Sequence, residues 1–406
     1  MLGQEKRAVC FALYTGCGLM VLLLMGVKLS GAQAPANYSL MWSDDFAGIP
    51  TSAASPAVDT TRWWWRMNYS SNGSQLPVNV TLDGAGHMEI ANTSKVVSGT
   101  TYYSGGGLIS HQTFRYGYYQ VAAQTPANSS KYHTAFWLSA LGPTGADVTS
   151  WNPAPSAAFL EIDGFEIDTT TASTVSTGWL SWSGYGATNT GSARCNANYH
   201  PGFDTSAASH TYGIEWTETA ITYYIDGSSY CTQGYTAALH AESPVNIWLT
   251  SIPYGATGTP TPGAQAVFSS PQYYIRDYYI NAEDTGYAEY GSNWSNSGAA
   301  GFSSQPVRYT CTAGQYASYT PNLLAAGNYD VQVYQIIVSP MDTATAVTLT
   351  TSSGAVNLPA GTLPTTGSSG WVDLGTYTFA AGNAANVSFT NGNNCLRSSM
   401  VKFVRQ

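Results

Sequence analysis

From Tyr38 to about Glu283, apolar and polar positions alternate in short runs separated by turns. "FRYGYYQVAAQT", "TYGIEWTETAITYYIDGSSY" and "PQYYIRDYYINAE" repeat with period two, with Tyr, Ile and Trp at the recurring positions. That period predicts half-buried β-strands. "HMEIANT" follows the turn "LDGAG", and "IDGS" at Ile225 to Ser228 is a hairpin signal. Many strands with few helical signals predict two packed antiparallel sheets. Near "EDTGYAEYGSNWSNSGAAG" the character changes: beyond Gly286 there are four acids (Glu289, Asp330, Asp342, Asp373) and no His. "GNYDVQVYQIIV", "WVDLGTYTFAAG" and "NVSFTN" again read as strands, enough for one small β-sandwich. The expected organisation is a leader over 1–34, a large β-sandwich over 35–284 and a smaller one over 285–406.

Composition supports an all-β chain. Only 9% of the 406 residues are charged, so long amphipathic helices have no material for their outer faces. Residues 1–34 read as a signal peptide: Lys6 and Arg7, then "AVCFALYTGCGLMVLLLMGV", then the small-residue site "AQA". Secretion is the expectation, with an uncleaved N-terminal anchor as the alternative, because the apolar run is long enough to span a bilayer, which takes about 20 residues. Cleavage would remove a net +2 and take the formal charge from −9 to −11. Without a basic patch, nucleic acid is excluded as a partner, and after cleavage no stable membrane partner is expected. A monomer is expected. Four Cys lie outside the leader, and three pairings are open to them. Pairing within each half, Cys195 with Cys231 and Cys311 with Cys395, suits a secreted two-domain chain. None has metal-binding CxxC spacing, so no metal site is expected from them.

In this charge-poor chain, "FLEIDGFEID" places four acids in ten residues, Phe159 to Asp168. On a strand Glu161 and Asp163 share a face and Ile162 takes the other. Glu166, five residues from Glu161, has the wrong parity to join them. A bulge at Gly164–Phe165 would correct it, leaving Ile162 and Ile167 inward and three carboxylates on one open face. Crowded carboxylates raise one another's pKa, so one can stay ionised as nucleophile and another protonated as acid. That is the chemistry of a retaining glycosidase, which needs the pair about 5–5.5 Å apart and hence a curved sheet. The same pattern also suits a solvated strand face or a calcium site.

"EIDGFE" fits the E-x-D-x-x-E signature of the family 16 glycoside hydrolases, in the bulged-strand branch of laminarinases, agarases, porphyranases and carrageenases. "YYSGGGLISHQTFRYGYYQVAAQTP", "AFWLSA" and "FDTSAASHTYGIEWTETAITYYIDG" resemble that family's flanking strands in order, over about 38–283. The resemblance implies a β-jelly-roll with a concave catalytic cleft. It also implies Glu161 as nucleophile, Asp163 as the residue that tunes the pair, and Glu166 as acid/base. Leu160 replaces the family's Gly before the first Glu, Thr250 replaces an Asn, and "SWNPAP" at Trp151 loosely matches a Trp-Pro; these departures bear on sugar selectivity. "QYASYTPNLLAAGNYDVQVYQ" and "SSGWVDLGTYTFAAGNAANVSFTN" resemble the golvesin-type C-terminal domain, a β-sandwich akin to carbohydrate-binding modules. The ending "RSSMVKF" lacks that domain's usual Asp.

Sugar rings stack on aromatic faces, so Trp137, Trp151 and Trp65 are candidate substrate contacts. Among "RWWWRM", alternation sends Trp63 and Trp65 one way and Trp64 the other. His210 is placed near the reaction centre by the family match, Glu215 reads as structural, and Arg115 and Arg66 are candidates for a substrate hydroxyl or sulfate. No cofactor is required, and structural Ca²⁺ stays open. The expected function is retaining endo-hydrolysis of a β-linked polysaccharide: a β-1,3 or mixed-linkage glucan, or a galactan such as agar. Transglycosylation and a non-catalytic, lectin-like protein are the alternatives.

Overall fold

The computed structural model describes residues 34–49, 56–66, 68–70, 73–127, 130–139, 159–168, 174–183, 189–195, 199–234, 244–253 and 259–406. It is built almost entirely of β-strands. The expected leader and Trp151 lie outside the described residues. Among the described residues, no helix is long and apolar enough to cross a membrane.

The larger sandwich is two sheets, antiparallel apart from one short parallel pair, Gly73–Gln75 with Thr100–Ser110. One sheet runs, in spatial order, Ser228–Gly234, Ala220–Ile225, His210–Trp216, Gly117–Gln124, Gln265–Ile275, His87–Ala91 and Val80–Leu82, with Ser39–Ser43 also paired to Gln265–Ile275. The other runs Asn189–Arg194, Ser176–Trp182, Phe159–Asp168, Tyr132–Ser139, Asn246–Pro253 and Thr100–Ser110, with short strands beyond. Period-two alternation sends Phe136, Leu138, Ile162, Ile167 and Leu249 of this second sheet inward. They meet Tyr119, Val121, Tyr212, Ile214 and Trp216 of the first sheet in one core. This is the jelly-roll sandwich expected from the alternation, because each sheet can hide one apolar face only against the other.

The second sandwich follows almost without a linker. Strand Gln265–Ile275 closes the first sandwich, and Asp277–Asn281, one residue on, pairs with Met400–Arg405. These two join Gly327–Gln335 and Gly370–Phe379 in one sheet. Across a core of Tyr329, Val331, Leu349, Val387, Phe389 and Phe403 lies a sheet of Tyr287–Tyr290, Tyr316–Tyr319, Asn386–Thr390, Ala346–Thr351 and Gly354–Asn357. The disulfides are Cys195–Cys231 and Cys311–Cys395, one in each half as the sequence suggested.

Lys402 links the two sandwiches. Its Nζ lies 3.1 and 3.2 Å from the two carboxylate oxygens of Glu218, in the turn that follows strand His210–Trp216. The Tyr279 hydroxyl donates to the same carboxylate at 2.5 Å, and the ammonium sits 4.4 Å above the Trp371 ring.

Candidate active site

The strand Phe159–Asp168 carries the bulge. Against its neighbour, Phe136 faces Phe165 and Trp137 faces Asp163, so Gly164 is the extra residue. Against the strand on the other side, the register shifts between Asp163 and Glu166. Gly164 is required for a packing reason. A Cβ there would lie 2.7 Å from Cδ1 of Ile214 and 2.8 Å from Cδ1 of Phe136, too close for either. Ile162, Phe165 and Ile167 are fully buried in the core. Glu161, Asp163 and Glu166 stand on the opposite face and line one cavity of about 260 Å³ with Arg66, His133, Trp137 and Thr250.

One rung across the sheet supplies Trp137 and Asp163 to the cavity. Directly paired residues of neighbouring strands share a face. The rung runs Trp64, Ile109, Trp248, Trp137, Asp163, Gly178 and Arg194. The Trp137 and Trp248 rings lie 4.5 Å apart, and the Arg66 guanidinium sits 5.3 and 5.7 Å from them. The Trp137 indole N–H donates to Thr250 Oγ1 at 3.3 Å.

The carboxylates differ in environment. The Trp182 indole N–H donates to Glu161 Oε2 at 3.1 Å. Burial, then the charge of Glu166, push Glu161 up to about 7, while the Trp182 donor, Arg194 and Arg66 pull it down. Asp163 is completely enclosed, and burial followed by its two Glu neighbours holds it well above the usual carboxylate range. Its Oδ2 has no hydrogen-bond partner among the described residues. These effects favour the protonated form of Asp163, which shares its face with the two glutamates. Glu166 has His133 Nε2 at 3.3 Å from Oε1 and Arg194 Nη1 at 3.5 Å from Oε2.

Several other candidates lie away from this cavity. Trp65 packs with Trp63 against the main core, and Trp64 is the member of that triplet on the cleft side, its ring tilted against His111 with centroids 4.0 Å apart. Alternation separates the three rings, but it does not say which set faces the core. His210 lies in the other sheet, at the parity of Tyr212 and Ile214. There it pairs with Asp226 at 2.7 Å and stacks on Phe203 at 3.5 Å. Arg115 lies 3.4 Å from Asp284 and lines a different cavity. Glu215 accepts from the Tyr38 and Tyr224 hydroxyls, a structural role. His133, Trp182, Trp248 and Arg194 went unnoticed in the sequence. Only the parity of His133 with Ala135 and Trp137 could have pointed to the first. Among the described residues no group of three or more His, Cys, Asp and Glu could hold a metal ion.

Residues 72–263 match glycosyl hydrolases family 16, and residues 278–405 match the Golvesin C-terminal domain. A curated relative, endo-1,3-1,4-beta-glycanase EglC of Rhizobium meliloti, is 25% identical over 249 residues, covering 60% of this chain and 48% of its own length. The chain thus spans about half of that relative. Similar solved structures include the laminarinase catalytic domain of Thermotoga maritima, with a TM-score of 0.44 and 19% identity, covering 58% of this chain and 98% of that one. Porphyranase B of Zobellia galactanivorans has a TM-score of 0.43 and 18% identity, covering 58% of this chain and 92% of that one.

Proposed function

From a chain that carries a family 16 glycosyl hydrolase domain joined to a Golvesin C-terminal domain, we propose a secreted endo-acting hydrolase of β-linked polysaccharide that retains anomeric configuration. The observation that carries this is the bulge at Gly164, which returns Glu166 to the face of Glu161 and opens both onto one cavity. The Glu161 carboxylate attacks the anomeric carbon while Glu166 protonates the departing glycosidic oxygen. Glu166 then takes a proton from water, which attacks the glycosyl–Glu161 ester and regenerates the free carboxylate.

Attack requires an ionised Glu161. Burial, then the charge of Glu166, raise Glu161, and a proton on Glu166 removes the second of these. The Trp182 N–H, Arg194 and Arg66 then favour ionised Glu161. The Trp137 indole at the cavity, backed by the buried Trp248, offers the sugar an apolar face. The relative's name points to a mixed-linkage β-1,3-1,4 glucan as the first substrate to try. Secretion accords with the two disulfides and the apolar leader.

The test is depolymerisation of lichenan, laminarin, agarose, porphyran and carrageenan by the full chain and by Glu161→Gln. One polymer should be cut, and the variant should lose activity by orders of magnitude while still binding it. The first-formed product should carry the β-anomer by ¹H NMR. An α-anomer as first product, or undiminished activity in the variant, would exclude double displacement at Glu161. Binding without turnover by the wild type would favour the lectin-like alternative.

A further inference from the structure

The rung that carries Trp137 and Asp163 ends on Arg194, which shares a face with Asp163 although a whole strand lies between them. The residue between is Gly178. A Cβ there would lie 2.9 Å from Cγ of Arg194 and 2.7 Å from the Ala193 carbonyl oxygen. The missing side chain lets the Arg194 stem cross the strand. Its Nη1 reaches 3.5 Å from Glu166 Oε2 and donates to Ser176 Oγ at 3.2 Å.

The strand that carries Arg194, Asn189–Arg194, ends the order of its sheet among the described residues, so it is paired on one side. The next residue, Cys195, is buried and disulfide-bonded to Cys231, on the strand that ends the order of the other sheet. Gln233 Nε2, two residues beyond Cys231, donates to the Arg194 carbonyl oxygen at 3.1 Å. The two sheet edges are thus tied together where the guanidinium sets out toward the carboxylates.

Resting on the hydrolase function proposed above, we propose that Arg194 is a positioning residue for Glu166, its charge setting where the proton resides among the three carboxylates, and that Cys195–Cys231 fixes it in place. The charged and titratable groups around Glu166 are few. Glu161 and Asp163 share its strand, and His133 reaches it from Tyr132–Ser139. Arg66 lines the same cavity, and Tyr223 in the other sheet senses both Asp163 and Arg194. Among the described residues Arg194 is the permanent cation within ion-pair reach of Glu166, since His133 is charged only when protonated. Its charge also favours the ionised forms of Glu161 and Asp163.

Removing that charge should move every carboxylate titration in the cluster to higher pH. The experiment follows the side-chain carboxyl ¹³C shifts of the labelled full chain against pH, for wild type, Arg194→Met, Arg194→Lys and the pair Cys195→Ser with Cys231→Ser. Arg194→Met should raise the Glu161 and Glu166 midpoints by about half to one pH unit, a modest shift because the guanidinium is partly solvent-screened. Arg194→Lys should fall between Met and wild type, and the cysteine pair should shift the same way as Met. The pH–rate bell should move with the midpoints, whereas a purely structural arginine would lower its height without moving it. Unchanged midpoints in a folded Arg194→Met protein would overturn the proposal, as would a Lys variant indistinguishable from Met. Unchanged midpoints in the cysteine pair would remove the disulfide from it. The titration needs no turnover, so a wild type that cuts no polysaccharide would defeat the hydrolase proposal while leaving this one to be decided.

Discussion

Trp182 and Glu161 are joined across neighbouring strands, the indole N–H donating to Glu161 Oε2 at 3.1 Å while the indole ring stacks on Phe159 with centroids 6.0 Å apart. The donor opposes burial and the charge of Glu166, which together push Glu161 up to about 7. Trp182→Phe keeps a ring over Phe159 and removes the donor. Glu161 should then rise further, and the ionised fraction needed for attack should fall most at mildly acidic pH. We expect kcat/KM to drop on the order of tenfold at pH 6 and much less at pH 8, read from pH–rate profiles.

The same raised carboxyl has a consequence for stability. Folded Glu161 titrates near 7, above the usual 4.5, so between those values the folded chain holds a proton that the unfolded chain releases. Its favourable contribution is complete below about 4.5 and is lost as pH rises through about 7. Glu161→Gln cannot ionise. The variant should exceed wild type in stability at pH 8 by about 1–3 kcal/mol, with the gap closing near pH 4. Thermal melts at the two pH values check this, and a gap that widened toward acid would contradict it.

Gly164 tests the bulge directly. Gly164→Ala puts a methyl group within 2.7–2.8 Å of Ile214 and Phe136, both inside the core. Overpacking of this kind costs about 1–3 kcal/mol. Relief by shifting the strand would move Glu166 relative to Glu161. A lower melting temperature with a loss of kcat larger than the loss of substrate affinity is expected, measured by melts and steady-state kinetics.

Much of this site was legible because strand parity is arithmetic. Glu161 and Glu166 differ by an odd number, a Gly lies between them, and one inserted residue reconciles the two. The disulfides were legible because each half of the chain holds two Cys beyond the leader. What stayed hidden needs knowledge of which strands are neighbours. Arg194 reaches Glu166 only because Gly178 sits between them, a relation spanning 28 residues of sequence. His210 has a strand pattern as good as any, yet its strand joins the other sheet. Alternation within Trp63 to Trp65 sorts the rings into two sets but leaves open which set meets the core.

That last ambiguity gives a paired test. Trp137 edges the cavity, whereas Trp65 packs against the main core. Trp137→Ala should raise KM for an oligosaccharide by on the order of tenfold, about 1.4 kcal/mol of lost stacking, with a smaller change in kcat. Trp65→Ala should chiefly lower stability, by about 3 kcal/mol or somewhat less because the ring is only partly buried. Kinetics and melts on the two variants separate these outcomes.

The two sandwiches are fastened by a nearly buried charge. Lys402 belongs to the second, Glu218 to the first, and the Lys402 side chain is 9% exposed. Removing one partner of such a pair strands the other, which costs more than the pair contributes when intact. Lys402→Met leaves the Glu218 carboxylate with the Tyr279 hydroxyl as the partner that donates to it, and should destabilise the chain by about 2–4 kcal/mol. Adding Glu218→Gln removes the stranded charge and should recover part of that loss, so the two effects should not add. Melts of the single and double variants measure the coupling. Full additivity would mean that Lys402 and Glu218 act independently and that other contacts hold the junction, such as the Arg405 donor to Ser39 Oγ and the Tyr116–Tyr279 ring contact.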